Sequence, residues 1–187
     1  QMCIRDRYPG EQGGTAVADV LFGDYNPAGR LPLTYYKSLD ELPAFDDYDI
    51  TKGRTYKYFK GDVLYPFGYG LSYSSFKYSD LKVKDGANTV SVSFRLKNTG
   101  KRKGDEVAQV YVRIPETGGV VPIKELKGFR RIPLKSGESR VVEIELDKEQ
   151  LRYWDAGLGR FIVPQGAFDI MVGASSKDIR LQTVINL

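Results

Sequence analysis

A regular alternation of apolar and polar residues in the second half of the chain restricts its possible folds most strongly. The clearest run covers residues 90–96, where Val, Val, Phe and Leu alternate with Ser, Ser and Arg. Three further runs show the same alternation: residues 110–114, 142–146 and 168–172. Because successive side chains of a strand point to opposite faces, each run predicts a strand with one buried face and one solvent face. In the second run, this pattern places Tyr111 on the solvent face.

Turn-forming residues separate these runs, as at Thr117-Gly118-Gly119 and Lys135-Ser136-Gly137. About seven short strands in roughly 110 residues, with no helical period between them, predict an immunoglobulin or fibronectin type III-like β-sandwich. We assign this sandwich to residues 76–187. Because the chain has a single cysteine, its core must rest on packing alone. The only tryptophan, Trp154, is expected to help close one end of that core.

Residues 8–66 mix helix, turn and strand signals. Ala16, Val17, Val20 and Leu21 fall on one helical face, and Gly23 supplies a left-handed stop. Residues 31–36 predict a short strand, at an edge or entry position because of the proline within it. A helix, a turn and a strand are too few to enclose a core. We therefore expect residues 8–66 to be a truncated α/β remnant of a larger domain, which makes the chain as a whole mainly β.

Two short segments have a character of their own. Residues 67–75, within an aromatic and glycine-rich stretch, predict a rigid linker, because their aromatic side chains favour packing over mobility. Residues 1–7 hold the only cysteine and show no clear period. We interpret residues 1–7 as a non-native segment.

The composition excludes several kinds of chemistry. The chain has no histidine, which excludes Ser-His-Asp and Cys-His nucleophile systems and histidine-ligated zinc. One cysteine excludes thiolate metal clusters, so neither a metal site nor a cofactor is predicted. No apolar run reaches the roughly 20 residues that cross a bilayer, so no membrane span is expected.

The densest basic run is Lys101-Arg102-Lys103, in a chain with a net charge of +4. Glycines flank this run, and no aromatic stacking motif interleaves with it. Both features favour a solvated turn between strands over a nucleic-acid patch, so no nucleic-acid partner is predicted.

Arg54 and Tyr56 are the candidate substrate-binding residues. They belong to the run Gly-Arg-Thr-Tyr-Lys-Tyr-Phe at residues 53–59, and guanidinium donors and aromatic faces suit the hydroxyls and apolar faces of sugars. The alternative is a strand whose tyrosines pack a domain junction, and the usual burial of aromatics favours it. The acids at positions 46, 47 and 49 are expected to be solvated rather than catalytic.

Several long motifs, in one order, resemble glycoside hydrolase family 3. Residues 8–32 are similar to the end of the α/β sandwich domain of that family, and residues 64–73 to its link into a C-terminal fibronectin type III-like domain. Three further motifs follow in the expected order: residues 96–100, 104–112 and 126–131.

The resemblance implies a parent protein that is a retaining exo-β-glycosidase, a β-xylosidase or β-glucosidase, acting on β-linked oligosaccharides. Such enzymes use two carboxylates about 5 Å apart. In the family these lie on an N-terminal barrel and an upstream part of the α/β domain, and neither motif occurs in this sequence. No catalytic residue is therefore assigned, and the chain alone is expected to be inactive and to pack on the missing catalytic domains. The run at 53–59 resembles xylosidase branches slightly more, and the family suggests a periplasmic or secreted location.

Two other kinds of protein have to be weighed. An immunoglobulin-like module that binds glycan or protein would need exposed aromatic residues along one sheet face. A structural or adhesive surface protein would need repeated sandwiches, and no internal repeat is visible. Since the alternation directs most large apolar side chains inward, the glycosidase interpretation ranks first.

Overall fold

The computed structural model describes residues 10–187, so the segment interpreted as non-native lies outside the described residues. Its helices are α1 (Gly13–Phe22) and α2 (Thr55–Tyr58), with 3-10 turns at Leu39–Glu41 and Lys148–Leu151. The strands are β1 (Tyr35–Tyr36), β2 (Val63–Tyr65), β3 (Phe76–Asp85), β4 (Thr89–Asn98), β5 (Gly104–Arg113), β6 (Glu125–Leu134), β7 (Ser139–Asp147), β8 (Tyr153–Asp155), β9 (Arg160–Ile162), β10 (Ala167–Gly173) and β11 (Ile179–Asn186).

The second half of the chain forms the predicted β-sandwich. Its first sheet has three strands in the order β3-β4-β7, and its second has four in the order β11-β10-β5-β6. All of these pairs are antiparallel. The mainly β fold class and the fibronectin type III-like sandwich are thus confirmed.

The core lies between the two sheets and follows the alternation. In β4 the buried residues are Val90, Val92, Phe94 and Leu96, while the residues between them reach the surface. The ring of Tyr78 on β3 stacks on Phe94, with centroids 5.8 Å apart. Corresponding inward residues of the other strands complete the core: Val110, Val112, Val142, Ile144, Leu146, Phe168, Ile170 and Val172.

The expectation that Tyr111 faces solvent is wrong, because β5 is buried on both faces. Tyr111 is fully buried, and so is its neighbour Gln109. The aromatic-rich linker and α2 cover the outer face of this strand: the ring of Tyr56 meets Tyr111 edge to face at 6.0 Å. Alternation within one strand cannot reveal that a distant segment covers its outer face.

Trp154 does not close the core, contrary to expectation. It lies on β8, which within residues 10–187 pairs with β9 alone, in a two-stranded hairpin outside the two sheets. Its side chain is 54% exposed and meets Phe161 edge to face at 5.2 Å. Leu151, in the 3-10 turn just before, fills the core instead and is fully buried.

The first part of the chain contains the predicted helix but a shorter strand than expected. The helix α1 ends at Gly23, whose φ of 86° is left-handed, as the sequence indicates. The strand predicted over 31–36 is reduced to Tyr35–Tyr36, which pairs with β2. Leu31 instead exchanges backbone hydrogen bonds with Gly68 and Tyr69, each 2.8 Å long. The proline that follows has no N–H to extend a strand.

Among residues 10–187, no helix is both long enough and apolar enough to cross a bilayer.

Candidate functional site

The predicted substrate-binding pair lies at the start of α2. Arg54 is the residue before the helix, and its guanidinium Nη2 donates to the carbonyls of Pro43 and Ala44, at 3.3 and 2.7 Å. Its Nε is buried and has no hydrogen-bond partner among the described residues. Arg54 thereby holds the loop around residues 43–44 against the helix. The strand considered for residues 53–59 is wrong, since residues 55–58 form one helical turn.

Tyr56 points away from that loop and onto the sandwich. Its ring stacks on Phe67 of the linker, with centroids 4.2 Å apart and an interplanar angle of 16°. Its hydroxyl accepts a hydrogen bond from the backbone N–H of Leu126 at 3.0 Å. Burial raises the pKa of Tyr56. The residue therefore packs the junction, and the structure directs the Arg54 and Tyr56 side chains to different neighbours.

An ion-pair cluster fastens α2 to the start of β6. Lys57 Nζ and Lys127 Nζ both contact the carboxylate of Glu125, at 2.5 and 2.9 Å. The backbone N–H of Ile123 donates to the carbonyl of Lys57 at 2.7 Å. Burial acts to raise the pKa of Glu125, but the hydrogen bonds from the two lysines outweigh it and hold the pKa below its ordinary value.

A buried ion pair joins residues before the linker to the sandwich core. Arg30 Nη2 lies 3.2 Å from Glu106 Oε1, and the two side chains are only 11% and 5% exposed. The hydroxyl of Tyr78 donates to the same oxygen at 3.1 Å. Glu106 points to the same inward face of β5 as Ala108 and Val110. Its negative charge is therefore buried, and the guanidinium of Arg30 compensates it there.

The linker is fixed by a close approach at Gly68. The Gln109 side chain donates to the carbonyls of Gly68 and Ala174, at 3.1 and 2.7 Å, and accepts from the hydroxyl of Tyr111. Gly68 has a φ of 80°, and a Cβ there would lie 2.0 Å from Gln109 Oε1. Only glycine suits both the backbone conformation and the space.

Asn26 connects the end of α1 to the linker and the sandwich. Its amide donates to the Lys103 carbonyl and to Ser74 Oγ, at 2.9 and 3.1 Å, and its oxygen accepts from the Tyr73 N–H at 2.8 Å. Arg102, in the basic run, donates to the carbonyl of Gly23 at 3.1 Å. Arg102 of the basic run therefore binds the C-terminal end of α1.

The segment before the sandwich has almost no interior. Of the hydrophobic side chains in residues 10–75, Ala28 alone is buried. Thirteen large hydrophobic side chains in residues 10–75 are exposed, whereas the longer described part from 76 to 187 exposes seven. This imbalance is unusual, because large apolar residues of a folded domain normally lie inside.

Several of these side chains line one open groove of about 940 Å³. Leu64 and Leu71, at its rim, are 57% and 67% exposed. The rings of Tyr65 and Tyr69 lie 5.3 Å apart in its wall. We call this groove, with Leu31 and Pro32 completing its apolar lining, the apolar groove.

Two families match the sequence. The glycosyl hydrolase family 3 C-terminal domain matches residues 3–73, and the fibronectin type III-like domain matches residues 106–176.

Known proteins that resemble the chain are β-glycosidases. A xylan 1,4-β-xylosidase of Xylanibacter ruminicola is 45% identical over 95% of this chain, and a periplasmic β-glucosidase of Salmonella typhimurium is 37% identical over 92%. Among solved structures, β-glucosidase 3B of Thermotoga neapolitana superposes with a TM-score of 0.88 at 36% identity over 95% of this chain. A β-D-glucoside glucohydrolase of Trichoderma reesei gives 0.87 at 33% identity over 95%.

The chain spans only part of these proteins. It covers 21% and 24% of the two curated relatives and 27% and 29% of the two solved chains.

Proposed function

The chain belongs to glycosyl hydrolase family 3, and from that membership we propose that it is the non-catalytic C-terminal part of a retaining exo-β-glycosidase. In this proposal the two catalytic carboxylates lie in other domains of the longer polypeptide. Residues 10–75 dock onto those domains, and the sandwich supports this segment from the other side. The oligosaccharide partner binds through the catalytic domains.

The observation that carries the proposal is the apolar exposure of residues 10–75. Burying a leucine side chain is worth about 1.5–3 kcal/mol, so an exposed set of this size favours a covering surface. The apolar groove contains Leu64, Tyr65 and Leu71 of this set, and the buried ion pair and the linker contacts hold its wall against the sandwich. A covering domain would therefore meet a preformed surface.

The docking is tested by placing a charge in the groove. We expect Leu71→Asp to change the stability of the 187-residue chain by less than about 0.5 kcal/mol, because Leu71 is exposed there. In the longer polypeptide, the same change should cost about 2 kcal/mol, because the side chain becomes buried. Urea unfolding of both forms measures the difference.

Val184→Asp is the matched control, because Val184 is also exposed but lies on β11, far along the chain from the groove. It should have the same small effect in both forms. Equal effects of Leu71→Asp in the two forms would contradict docking at the apolar groove.

For the substrate, we propose xylose-type over glucose-type sugars by a small margin. In support, the xylan 1,4-β-xylosidase relative is 45% identical, against 37% for the β-glucosidase relative. We also propose a periplasmic or secreted location, since one relative is a periplasmic β-glucosidase. Rates of the longer polypeptide on nitrophenyl β-xyloside and β-glucoside test the sugar, and cell fractionation tests the location.

Arg54 and Tyr56 are the proposed substrate contacts within this chain. In support, Tyr56 lines a pocket beside α2. The test is Arg54→Lys and Tyr56→Phe in the longer polypeptide, because each keeps much of the packing but alters the polar group. The proposal expects KM to rise in addition to a modest loss of thermal stability, because each variant also loses a hydrogen bond within the chain. Lower stability with an unchanged KM would show that both residues stabilise the fold and do not contact the substrate.

A second candidate function, glycan binding by the sandwich, is favoured by one observation. The exposed rings of Trp154 and Phe161 meet on the hairpin outside the sheets, where a sugar face can stack. Retention of the 187-residue chain on insoluble xylan, lost in Trp154→Ala, would support it. Equal elution of both proteins without retention would exclude it.

A further inference from the structure

A second cavity lies where α2 and the loop after it meet the sandwich. It has a volume of about 230 Å³, and its lining includes Thr34, Tyr56, Phe59, Lys60, Lys124 and Lys177. We call it the lysine pocket. Its walls come from the segment before the linker, from the loop before β6 and from the turn after β10. Chain segments far apart in sequence therefore shape it.

Two of its lysines are held in place by backbone carbonyls. Lys124 Nζ donates to the carbonyl of Ser176 at 2.9 Å, and Lys177 Nζ donates to the carbonyl of Gly61 at 3.3 Å. An ammonium group has three N–H donors, so each lysine keeps two for another acceptor. These contacts orient both side chains before anything binds.

Lys124 is partly buried and senses the charge of Lys177, whereas Lys60 and Lys177 are exposed. Burial lowers the pKa of Lys124, and the charge of Lys177 lowers it further. Two ammonium groups near each other repel, and partial burial weakens the screening by water. An anion between them would remove this repulsion.

Nothing in the lining neutralises these charges. The lining residues include three lysines and no aspartate or glutamate. Lys60 makes no hydrogen bond or ion pair with any residue from 10 to 187. The hydroxyl of Thr34 is buried without a hydrogen-bond partner among the same residues.

We propose that the lysine pocket binds a compact oxyanion, such as the carboxylate of an acidic sugar or an inorganic phosphate. The oxygens of the anion would accept hydrogen bonds from Lys60, Lys124 and Lys177. The rings of Tyr56 and Phe59 would flank the ligand. Charge-assisted hydrogen bonds of this kind are among the strongest that proteins form.

Calorimetric titration of the 187-residue chain with sodium phosphate and with sodium glucuronate tests the site. Sodium chloride at equal ionic strength controls for screening, and glucose controls for sugar binding without charge. We expect saturable binding of phosphate, glucuronate or both, and none of chloride or glucose. Phosphate alone would identify an inorganic anion, and tighter binding of glucuronate would identify an acidic sugar. The absence of saturable binding of both would overturn the proposal.

Variants separate this site from general attraction to a basic protein. Lys60→Gln removes a charge that makes no hydrogen bond or ion pair with residues 10 to 187, so it should not disturb the fold. It should raise the dissociation constant for the anion about tenfold. Lys124→Gln should do the same, and Lys84→Gln on β3 is the matched control with an exposed lysine outside the pocket lining. If Lys84→Gln weakened binding as much as Lys60→Gln, the site would be refuted.

Discussion

At the scale of residues, one buried ion pair and one close backbone approach hold the linker and the residues before it against the sandwich. Glu106 accepts from both Arg30 and Tyr78 inside the protein, and Gly68 touches the side chain of Gln109. A buried ion pair adds little net stability compared with an apolar pair, but the loss of one partner leaves an uncompensated charge. These residues therefore matter for the relative placement of the two parts.

We expect Glu106→Gln to lower the free energy of unfolding by about 3 kcal/mol, because Arg30 would stay buried without a counter-charge. Denaturation by urea measures the loss. Glu145→Gln is the matched control, since Glu145 lies on the exposed face of β7 and should change stability by less than about 0.5 kcal/mol. Equal effects of the two variants would contradict the role of the buried pair.

Gly68→Ala should destabilise the chain by at least about 2 kcal/mol. The alanine would have to adopt a left-handed conformation, and its Cβ would displace Gln109 from its hydrogen bonds. Gly119→Ala provides the comparison, because a Cβ at Gly119 meets open space. Thermal unfolding of both proteins measures the effect, and unchanged stability in Gly68→Ala would show that the linker is not fixed at this point.

The sequence contains a signal that Glu106 is buried. Glu106 is two residues before Ala108 and four before Val110, so it shares their inward face. A charged side chain on the buried face of a strand is expected to have a counter-charge or a hydrogen-bond partner inside the protein. The identity of that partner could not be predicted, because Arg30 is 76 residues away and meets Glu106 only through tertiary packing. The contact between Gly68 and Gln109 could not be predicted either, because the two residues are 41 positions apart and meet only in the folded chain.

At the scale of elements, α2 is one helical turn that depends on its contacts. Its four residues are too few for a helix to be stable in isolation. The carboxylate of Glu125, the hydroxyl of Tyr56 and the N–H of Ile123 bind it to the start of β6. This explains why residues 53–59 could be interpreted as a strand from sequence, since tertiary contacts decide their conformation.

Glu125 should make part of the stability depend on pH. Its pKa lies below the ordinary value of 4.5, so its contribution is complete above pH 4.5 and is lost as the pH falls through the lowered pKa. We expect Glu125→Gln to cost about 1 kcal/mol at pH 7, since partial solvation weakens the ion pairs. The cost should shrink on acidification below pH 4.5. A cost that is the same at pH 7 and at pH 3 would contradict this role.

The strands of the sandwich could be predicted from alternation alone, whereas the elements before it could not. Alternation locates β4, β5, β7 and β10 because one face of each is covered by the opposite sheet. It fails for the outer face of β5, which the linker covers, and for residues 31–36, where Leu31 bonds to the linker and only Tyr35–Tyr36 form a strand. In both places the residues contact a segment that is distant in sequence, whereas the alternation rule assumes solvent on one face and an adjacent strand at the edge.

At the scale of the whole molecule, the chain consists of a closed sandwich and an attached segment without an interior. The sandwich buries its large side chains between two sheets, while residues 10–75 bury Ala28 as their only hydrophobic side chain. The family resemblance could be recognised from the order of motifs, but the groove and its exposed rim required the structure. Because the exposed apolar side chains are concentrated in residues 10–75, we propose that this segment docks onto other domains and that the chain itself is not catalytic.

The most direct test of this account is the release of nitrophenol by the purified 187-residue chain. We predict no hydrolysis of nitrophenyl β-xyloside or nitrophenyl β-glucoside above the uncatalysed rate, whereas the longer polypeptide should hydrolyse at least one of them. Saturable hydrolysis by the chain alone, abolished by a substitution within residues 10–187, would contradict the assignment of the catalytic carboxylates to other domains.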